Sequence, residues 1–517
     1  MSELTDRLFE EILQARQRVY EVGEPTPLQK LNLRDIPAPV YAKREDLGPI
    51  RAYKWRGAYN CMAALSQADR DKGIVAASAG NHAQGVALAA KVLNCHARIY
   101  MPRSTPEVKQ KEVKRHGGDH VDIVLQGDCY DETAAAAHEY AEEHGSTFVH
   151  PYDDLVTMGG QGTLADEIVM SGEGPFDRAY VPIGGGGLAA AVGCWLKRFW
   201  PNIKIIAVEG VDQASMKTSI EQGKRTHLDY VDVFCDGTAV RIPGEVTYPI
   251  CSEVIDEYIT VSNNEVCQAI RAMWESSRVV PEPSGALTLA GFLKDWNEGK
   301  IKNTDKSVVV ISGANMDFTQ LTQIARQAGI GNYETRYLRI PMASKRGQVL
   351  KYLRHMPSDT TLVDVQYGKT EGETQYPVFG IAASDEDLDT IRQTLIAKGL
   401  QCEDISEDDD VRFRMIHYQA ELFQNPLFVH IEFPERPGAF LDFMEHIADI
   451  ASLCYFNYAY SGERVGRALV GMEFDTIEDR EAAKKRLQGF PGNVIRAIRE
   501  ISTPAKGRIT GTRPTVS

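Results

Sequence analysis

Residues 181–189 read Val181-Pro182-Ile183-Gly184-Gly185-Gly186-Gly187-Leu188-Ala189. A β-prone run enters the glycines and a helical pattern leaves them, continuing through Trp195. This strand–glycine–helix turn is a building block of α/β layers. Glycines let backbone N–H groups approach a phosphate at the positive end of the helix. The stretch also satisfies Gly184-x-Gly186-x-x-Ala189, a dinucleotide fingerprint, and Glu209 ends the next β-rich run where a ribose-binding acid belongs. Taken alone, it favours a nicotinamide-dependent dehydrogenase, with a purely structural turn as a third reading.

Outward from this turn, residues 1–325 alternate β-rich and helical patterns, which predicts an α/β architecture with a mainly parallel sheet. The β-rich runs fall at 40–43, 73–76, 97–100, 121–124, 179–181, 203–208 and 307–311. Ala-rich helical stretches at 83–93 and 130–143 lie between them, and residues 5–20 predict an opening amphipathic helix. The apolar run Val308-Val309-Val310-Ile311 falls far short of the ~20 residues of a membrane helix and reads as a buried strand. Near residues 326–336 the pattern lapses into Gly329-Ile330-Gly331-Asn332, a linker composition.

Beyond the linker the chain repeats itself. Gly347 matches Gly438, Leu350 matches Leu441, Tyr367 matches Tyr458 and Gly380 matches Gly471, each pair 91 residues apart. Each half reads strand, helix, strand, strand, helix, strand, a βαββαβ ferredoxin-like unit occurring twice. In the second half these elements fall at 427–433, 437–450, 453–460, 468–474, 478–487 and 494–498.

Composition narrows the function. A chain of 517 residues predicts roughly three domains. With 43% apolar residues there is ample material for cores. A net charge of -15 repels phosphate backbones and anionic lipid, which argues against a nucleic-acid or membrane-surface protein. The nine cysteines are odd in number and include no C-x-x-C pair, so reduced thiols are expected rather than structural zinc or a disulfide framework. No metal site is legible: His116 and His120 are separated by the helix-breaking Gly117-Gly118. Glu3, Asp6, Glu10 and Glu11 stand where a basic-then-apolar leader would, and a cytoplasmic location is expected.

Two further segments bear on the chemistry. Ala52-Tyr53-Lys54-Trp55-Arg56-Gly57-Ala58-Tyr59 sets a lysine among aromatic and small residues. Desolvated there, its amine would lose its charge and become a nucleophile, whereas an ordinary lysine snorkels at the surface. Ser78-Ala79-Gly80-Asn81-His82-Ala83-Gln84-Gly85 opens an Ala-rich helix directly after a strand. Ser78 and the loop N–H groups could hold a carboxylate at that helix N-terminus, or simply cap it.

In order and spacing, Lys54 in its motif, the Ser78–Gly85 loop, the Gly184–Leu188 loop and Ser312-Gly313-Ala314-Asn315 resemble the fold type II pyridoxal-phosphate enzymes. The chain is most similar to the biosynthetic threonine ammonia-lyases (threonine dehydratases), which also end in two ACT-like regulatory domains. Ala52 and Trp55 depart from the serine and leucine often found beside the lysine. The resemblance implies a tryptophan synthase β-like catalytic domain over 1–325 with a small inserted α/β subdomain. A linker at 326–335, ACT-like domains at 336–410 and 426–500, and a tail at 501–517 would follow.

The same resemblance implies roles. Lys54 would carry pyridoxal 5'-phosphate covalently and act as the catalytic base. Asn81 would bond the ring hydroxyl, Gly184, Gly185, Gly186, Gly187 and Leu188 the phosphate, and Ser312 the pyridine nitrogen. Ser78, Ala79, Gly80, Asn81 and His82 would hold the carboxylate of the substrate, L-threonine, with L-serine as the other candidate. Tyr367 and Tyr458 would line an effector pocket. Long-form relatives are homotetramers inhibited by isoleucine and opposed by valine. Glu209 becomes a structural or cation-site residue, with Gln213 and Ser215 as weak oxygen ligands.

Rivals remain at this stage. Serine dehydratases and racemases share these motifs and a segment like Glu282-Pro283-Ser284-Gly285-Ala286, but they do not normally carry the doubled C-terminal unit. A dehydrogenase leaves Lys54 and the Asn81 loop unexplained. A non-catalytic amino-acid sensor explains 336–500 but not the first 325 residues.

Overall fold

The computed structural model describes residues 1–318, 320–328, 334–343, 351–352, 354–357, 360–366, 374–375, 377–406, 425–434, 451–458, 465–490 and 497–500. The chain divides into two compact units, the first of them Met1–Ala328. Among the described residues, no helix is long and apolar enough to cross a membrane.

The first unit holds two sheets. Its strands are β1 (Leu28–Leu31), β2 (Val40–Arg44), β3 (Ile74–Ala77), β4 (Ala97–Met101), β5 (Val121–Leu125), β6 (Thr147–Phe148), β7 (Arg178–Pro182), β8 (Lys204–Gly210), β9 (Glu257–Val261) and β10 (Ser307–Ile311). The larger sheet runs β1-β2-β10-β7-β8-β9 and is parallel apart from β1. The smaller, β5-β4-β3-β6, is wholly parallel and is inserted between β2 and β7.

The valine run explains why β10 lies at the centre. Side chains alternate across a strand, so Val308 and Val310 enter one core with Tyr41, Ala179, Val181, Ile205 and Ala207. Val309 and Ile311 enter the opposite core with Val40, Ala42, Tyr180, Ile206 and Val208. Helices cover both faces, as parallel sheets require. Each fully buried Val or Ile contributes about 1.5–3 kcal/mol relative to exposure, and a one-residue slip would send every one to the wrong core.

The opening helix is shorter than the periodicity predicts. It spans Glu3–Ala15, capped by Ser2, and a separate turn at Val19–Glu21 follows. The break lets Val19 join Ile50, Ala52 and Trp55 in a satellite core. A helix over Gln320–Gln327 closes the first unit.

The second unit contains two four-stranded antiparallel sheets. Strands Glu334–Arg339, Thr361–Gln366, Val378–Ala383 and Glu403–Asp404 form one, in the spatial order second, third, first, fourth. Strands Leu427–Pro434, Ser452–Tyr458, Val465–Glu473 and Ala497–Glu500 repeat that order. The 91-residue offset holds in the register itself: Tyr337 pairs with Gly380 as Phe428 pairs with Gly471. Both sheets shift register at the same place, between Leu362 and Asp364 and between Leu453 and Tyr455. Leu338, Ile340, Phe379 and Ile381 are buried in one core, and Val429, Ile431, Val470 and Met472 in the other. Among the described residues the outer strand departs: Leu338 faces Asp404, whereas Val429 faces Glu500, five residues beyond the repeat. The helix expected at 437–450 lies outside the described residues.

Candidate active site

Loops at the carboxyl ends of parallel strands converge, and this brings distant residues together. The lysine motif follows β2, the Asn81 loop follows β3, the glycine turn follows β7 and Ser312 follows β10. Lys54 is the first residue of helix Lys54–Ala64. The segment entering that helix is laced to the β10 loop, with Tyr53 N–H donating to Ser312 O at 3.0 Å and Ala314 N–H to Arg51 O at 2.8 Å. Lys54 Nζ donates to Pro151 O at 2.7 Å. Enclosure of the amine lowers its pKa to about 7, so an uncharged nucleophile is present at neutral pH.

Ser312 is buried at the end of β10. Asn81, opening helix Asn81–Val92, donates to Glu282 Oε1 at 2.8 Å and accepts from Asn315 Nδ2 at 2.8 Å. Asn315 N–H also donates to the other oxygen of Glu282 at 3.0 Å. Burial, reinforced by the nearby Asp236 carboxylate, raises the Glu282 pKa to about 8. Ser78 Oγ accepts from Gly80 N–H at 3.2 Å. The first amides of helix Asn81–Val92 have no intrahelical acceptor and are available to an anion. His82 is buried with Nε2 on Val149 O at 2.9 Å, and burial followed by the Lys54 charge lowers its pKa to about 3.

The glycine turn is a cradle that no side chain could share. A Cβ on Gly184 would stand 2.7 Å from Thr238 O, and one on Gly185 would stand 2.3 Å from the Tyr152 ring. A Cβ on Gly187 would stand 2.7 Å from Tyr152 O, and Gly186 has φ +102°. Helix Gly187–Phe199 starts here, with Leu188 buried behind the turn. Bare backbone amides at a helix N-terminus, a lysine that loses its proton near neutrality and a buried serine hydroxyl form a set that fits pyridoxal phosphate.

Behind Lys54 lies a buried ion cluster. Arg56 bonds Glu45 at 2.8 Å and Glu167 at 2.5 Å, and Glu167 also takes Lys43. Two cations meet two carboxylates, and together they tie β2, the lysine helix and helix Leu155–Met170 into one block.

Several participants were not singled out from the sequence. Glu282 and Asn315 sit in segments that were read, but neither carried a role there. The Pro151 carbonyl that receives Lys54 left no side-chain signal at all. Glu209 is a helix cap: its two oxygens accept Met216 N–H and Lys217 N–H, each at 2.9 Å, at the start of helix Ser215–Gln222. Gln213 spends its amide on Asp232 O and Cys235 O. Among the described residues, no group of three or more His, Cys, Asp or Glu could hold a metal ion. Tyr458 ends its strand, with Ala468 opposite, and Tyr367 lies outside the described residues.

Comparison with known proteins bears on the family. Residues 19–313 match the pyridoxal-phosphate dependent enzyme family, and residues 420–497 match the C-terminal regulatory domain of threonine dehydratase. The biosynthetic L-threonine dehydratase of Burkholderia multivorans is 36% identical over 473 residues, 90% of this chain and 92% of its own. The structure of threonine deaminase isoform 2 from Solanum lycopersicum has a TM-score of 0.59 and 40% identity, over 63% of this chain and 94% of that one. Maize serine racemase has a TM-score of 0.56 and 30% identity, over 61% and 95%. The first two matches span what the dehydrogenase and sensor readings each left out. The chain therefore belongs to the pyridoxal-phosphate dependent enzymes, among the biosynthetic threonine dehydratases with a C-terminal regulatory domain.

Proposed function

We propose that this enzyme deaminates L-threonine to 2-oxobutanoate and ammonia, the committed step toward isoleucine, under feedback control through its C-terminal unit. The observation that carries this reading is the conjunction of a buried Lys54 amine, its pKa lowered to about 7, in the glycine-cradled site with a regulatory-domain match in the same chain. Serine dehydratases and racemases share the site but not that second feature.

Bound pyridoxal phosphate would supply an electron sink for the pair left on the amino acid's α-carbon when its proton is removed. Lys54 would hold it, Gly184–Leu188 its phosphate, Asn81 its ring hydroxyl and Ser312 its ring nitrogen. A serine hydroxyl does not keep that nitrogen protonated, which favours loss of a β-substituent over competing fates. The Ser78–His82 loop orients the substrate carboxylate toward a helix N-terminus. Lys54 Nζ then takes the Cα proton, and its low pKa suits a base working near neutrality. The pairing of Asn81 with Glu282 and Asn315 holds its amide in one orientation.

The test is direct. Purified enzyme with L-threonine and pyridoxal phosphate should release 2-oxobutanoate, and L-serine should be the poorer substrate. Failure to release any keto acid from threonine would overturn the assignment.

Regulation is proposed to use isoleucine as inhibitor and valine as its opponent, in a homotetramer. Tyr367 and Tyr458, equivalent positions of the repeated unit, would contribute to the effector pocket. Coupling of ~1–3 kcal/mol between effector and active sites is enough to shift substrate affinity 5- to 150-fold. Truncation after residue 330 is expected to leave threonine turnover but abolish the isoleucine response. The first unit carries its own cores and every catalytic group, which supports that expectation. A truncated enzyme inhibited at the same isoleucine concentration as the full chain would place the sensor elsewhere.

A further inference from the structure

The wall between Lys54 and the glycine cradle is the segment His150-Pro151-Tyr152. Pro151 O receives Lys54 Nζ at 2.7 Å and also Gln161 Nε2 at 3.1 Å. Tyr152 closes over the cradle, its ring beside Gly185 and its carbonyl beside Gly187. His150 stands next to both. Its Nδ1 accepts two backbone N–H groups, from Asp153 at 2.8 Å and from Tyr152 at 3.3 Å. Its ring packs edge-to-face on Tyr152, with centroids 4.8 Å apart.

Those two bonds decide the tautomer. An Nδ1 that accepts carries no hydrogen, so a neutral His150 must carry it on Nε2 and present it as a donor. The ring is neutral: burial, against the pull of Asp153, brings its pKa to about 4. The neighbouring His82 is fixed the other way. With Nε2 on the Val149 carbonyl, its remaining nitrogen is a bare acceptor that cannot donate. His150 is half-buried, its ring also lies edge-to-face on Phe148, and its Nε2–H has no oxygen or nitrogen acceptor among the described residues.

Substrate geometry gives that donor a task. With the Cα proton facing Lys54, the substrate nitrogen directed to the cofactor and the carboxylate at the Ser78–His82 loop, the side chain is left to the remaining wall. We infer that His150 is a catalytic residue whose Nε2–H hydrogen-bonds the β-hydroxyl of threonine as that group departs. The inference rests on the deaminase reading above. During the step, the Cα proton moves to Lys54 Nζ and a Cα–Cβ double bond forms. The Cβ–O bond breaks with its electron pair on oxygen, and the proton held by Lys54 completes water. His150 transfers nothing; it stabilises charge developing on oxygen, as a preorganised neutral donor does.

Two variants separate the roles of the ring. His150→Asn retains an acceptor for the Tyr152 and Asp153 amides and deletes the distal donor. His150→Gln places an N–H near the Nε2 position. L-Threonine needs a donor for its leaving hydroxyl, whereas 3-chloro-L-alanine expels chloride without one. His150→Asn should lose roughly 10²-fold in kcat on threonine. It should change less than about threefold on chloroalanine, with pyridoxal-phosphate affinity unchanged by fluorescence titration of the cofactor-free protein. His150→Gln should return most of the threonine activity. Equal losses on both substrates, loss of cofactor affinity in both variants, no loss at all, or a Gln variant as poor as Asn would each overturn the role. Wild-type enzyme that eliminates chloride but leaves threonine untouched would instead refute the deaminase reading.

Discussion

Lys54→Ala should reduce threonine turnover by roughly 10⁴- to 10⁶-fold, the scale seen when one member of a catalytic unit is removed. On the roles proposed above, two functions would leave with one side chain: the covalent hold on the cofactor and the base for the Cα proton. Neither can pass to a neighbour. His82 is held neutral with its N–H on a backbone carbonyl, and the Arg56 guanidinium is wholly buried among carboxylates. The lysine's low pKa adds a second expectation. Cofactor uptake by cofactor-free enzyme needs the uncharged amine, so its rate should rise with pH through about 7 and level off above it. Borohydride reduction and peptide mapping should find the cofactor on the Lys54 peptide. A variant retaining a tenth of wild-type turnover, or label on another lysine, would refute the assignment.

Arg56→Met should destabilise the catalytic unit by about 3–5 kcal/mol, because it leaves two carboxylates buried without their main partner. Glu45 is fully enclosed, and Glu167 would keep Lys43 as a cation but otherwise only the neutral donors Tyr20 and Thr26 among the described residues. In the intact cluster, burial alone would raise the Glu167 pKa, but Arg56 and Lys43 override it and hold the carboxyl below its usual range. That contribution is present above the ordinary glutamate pKa and is lost as pH falls through the lowered one. An exposed pair gives the contrast. Lys72 and Asp69 are also 2.8 Å apart, yet breaking such a surface contact costs at most about 1 kcal/mol. Urea unfolding followed by the tryptophans of the catalytic unit would measure the difference. A loss below about 1 kcal/mol for Arg56→Met would show that water reaches the cluster.

Legibility followed the range of the interactions. The valine run, the glycine turn and the repeat are local or periodic signals, and each appears where the pattern puts it, the repeat down to its shared register shift. The motifs Tyr53-Lys54, Ser78–Gly85 and Ser312–Asn315 stood out in the sequence, and the fold brings them together. What stayed hidden depends on partners far along the chain. Glu282 meets Asn81 across 201 residues, and Arg56 meets Glu167 across 111. All four residues of Lys43-Arg44-Glu45-Asp46 are buried: Lys43 and Glu45 meet Glu167 and Arg56 from other elements, while Arg44 and Asp46 pair with each other. The Pro151 carbonyl is backbone, so no residue type could announce it. Glu209 illustrates the converse. A local fingerprint suggested a ligand, while the fold employs the carboxylate as the cap of the next helix.

The central position of β10 has a consequence for biosynthesis. The strand that joins β2 to β7 is the last of its sheet to leave the ribosome, more than 260 residues after the strand it pairs with on one side. Until it arrives, the two halves of the sheet expose unpaired edges, and such long-range closure is slow. Ser312 travels on that same strand end, and its carbonyl holds the segment that opens the Lys54 helix. A nascent chain therefore lacks both backbone bonds that fix the entry to the Lys54 helix until nearly the whole catalytic unit has emerged.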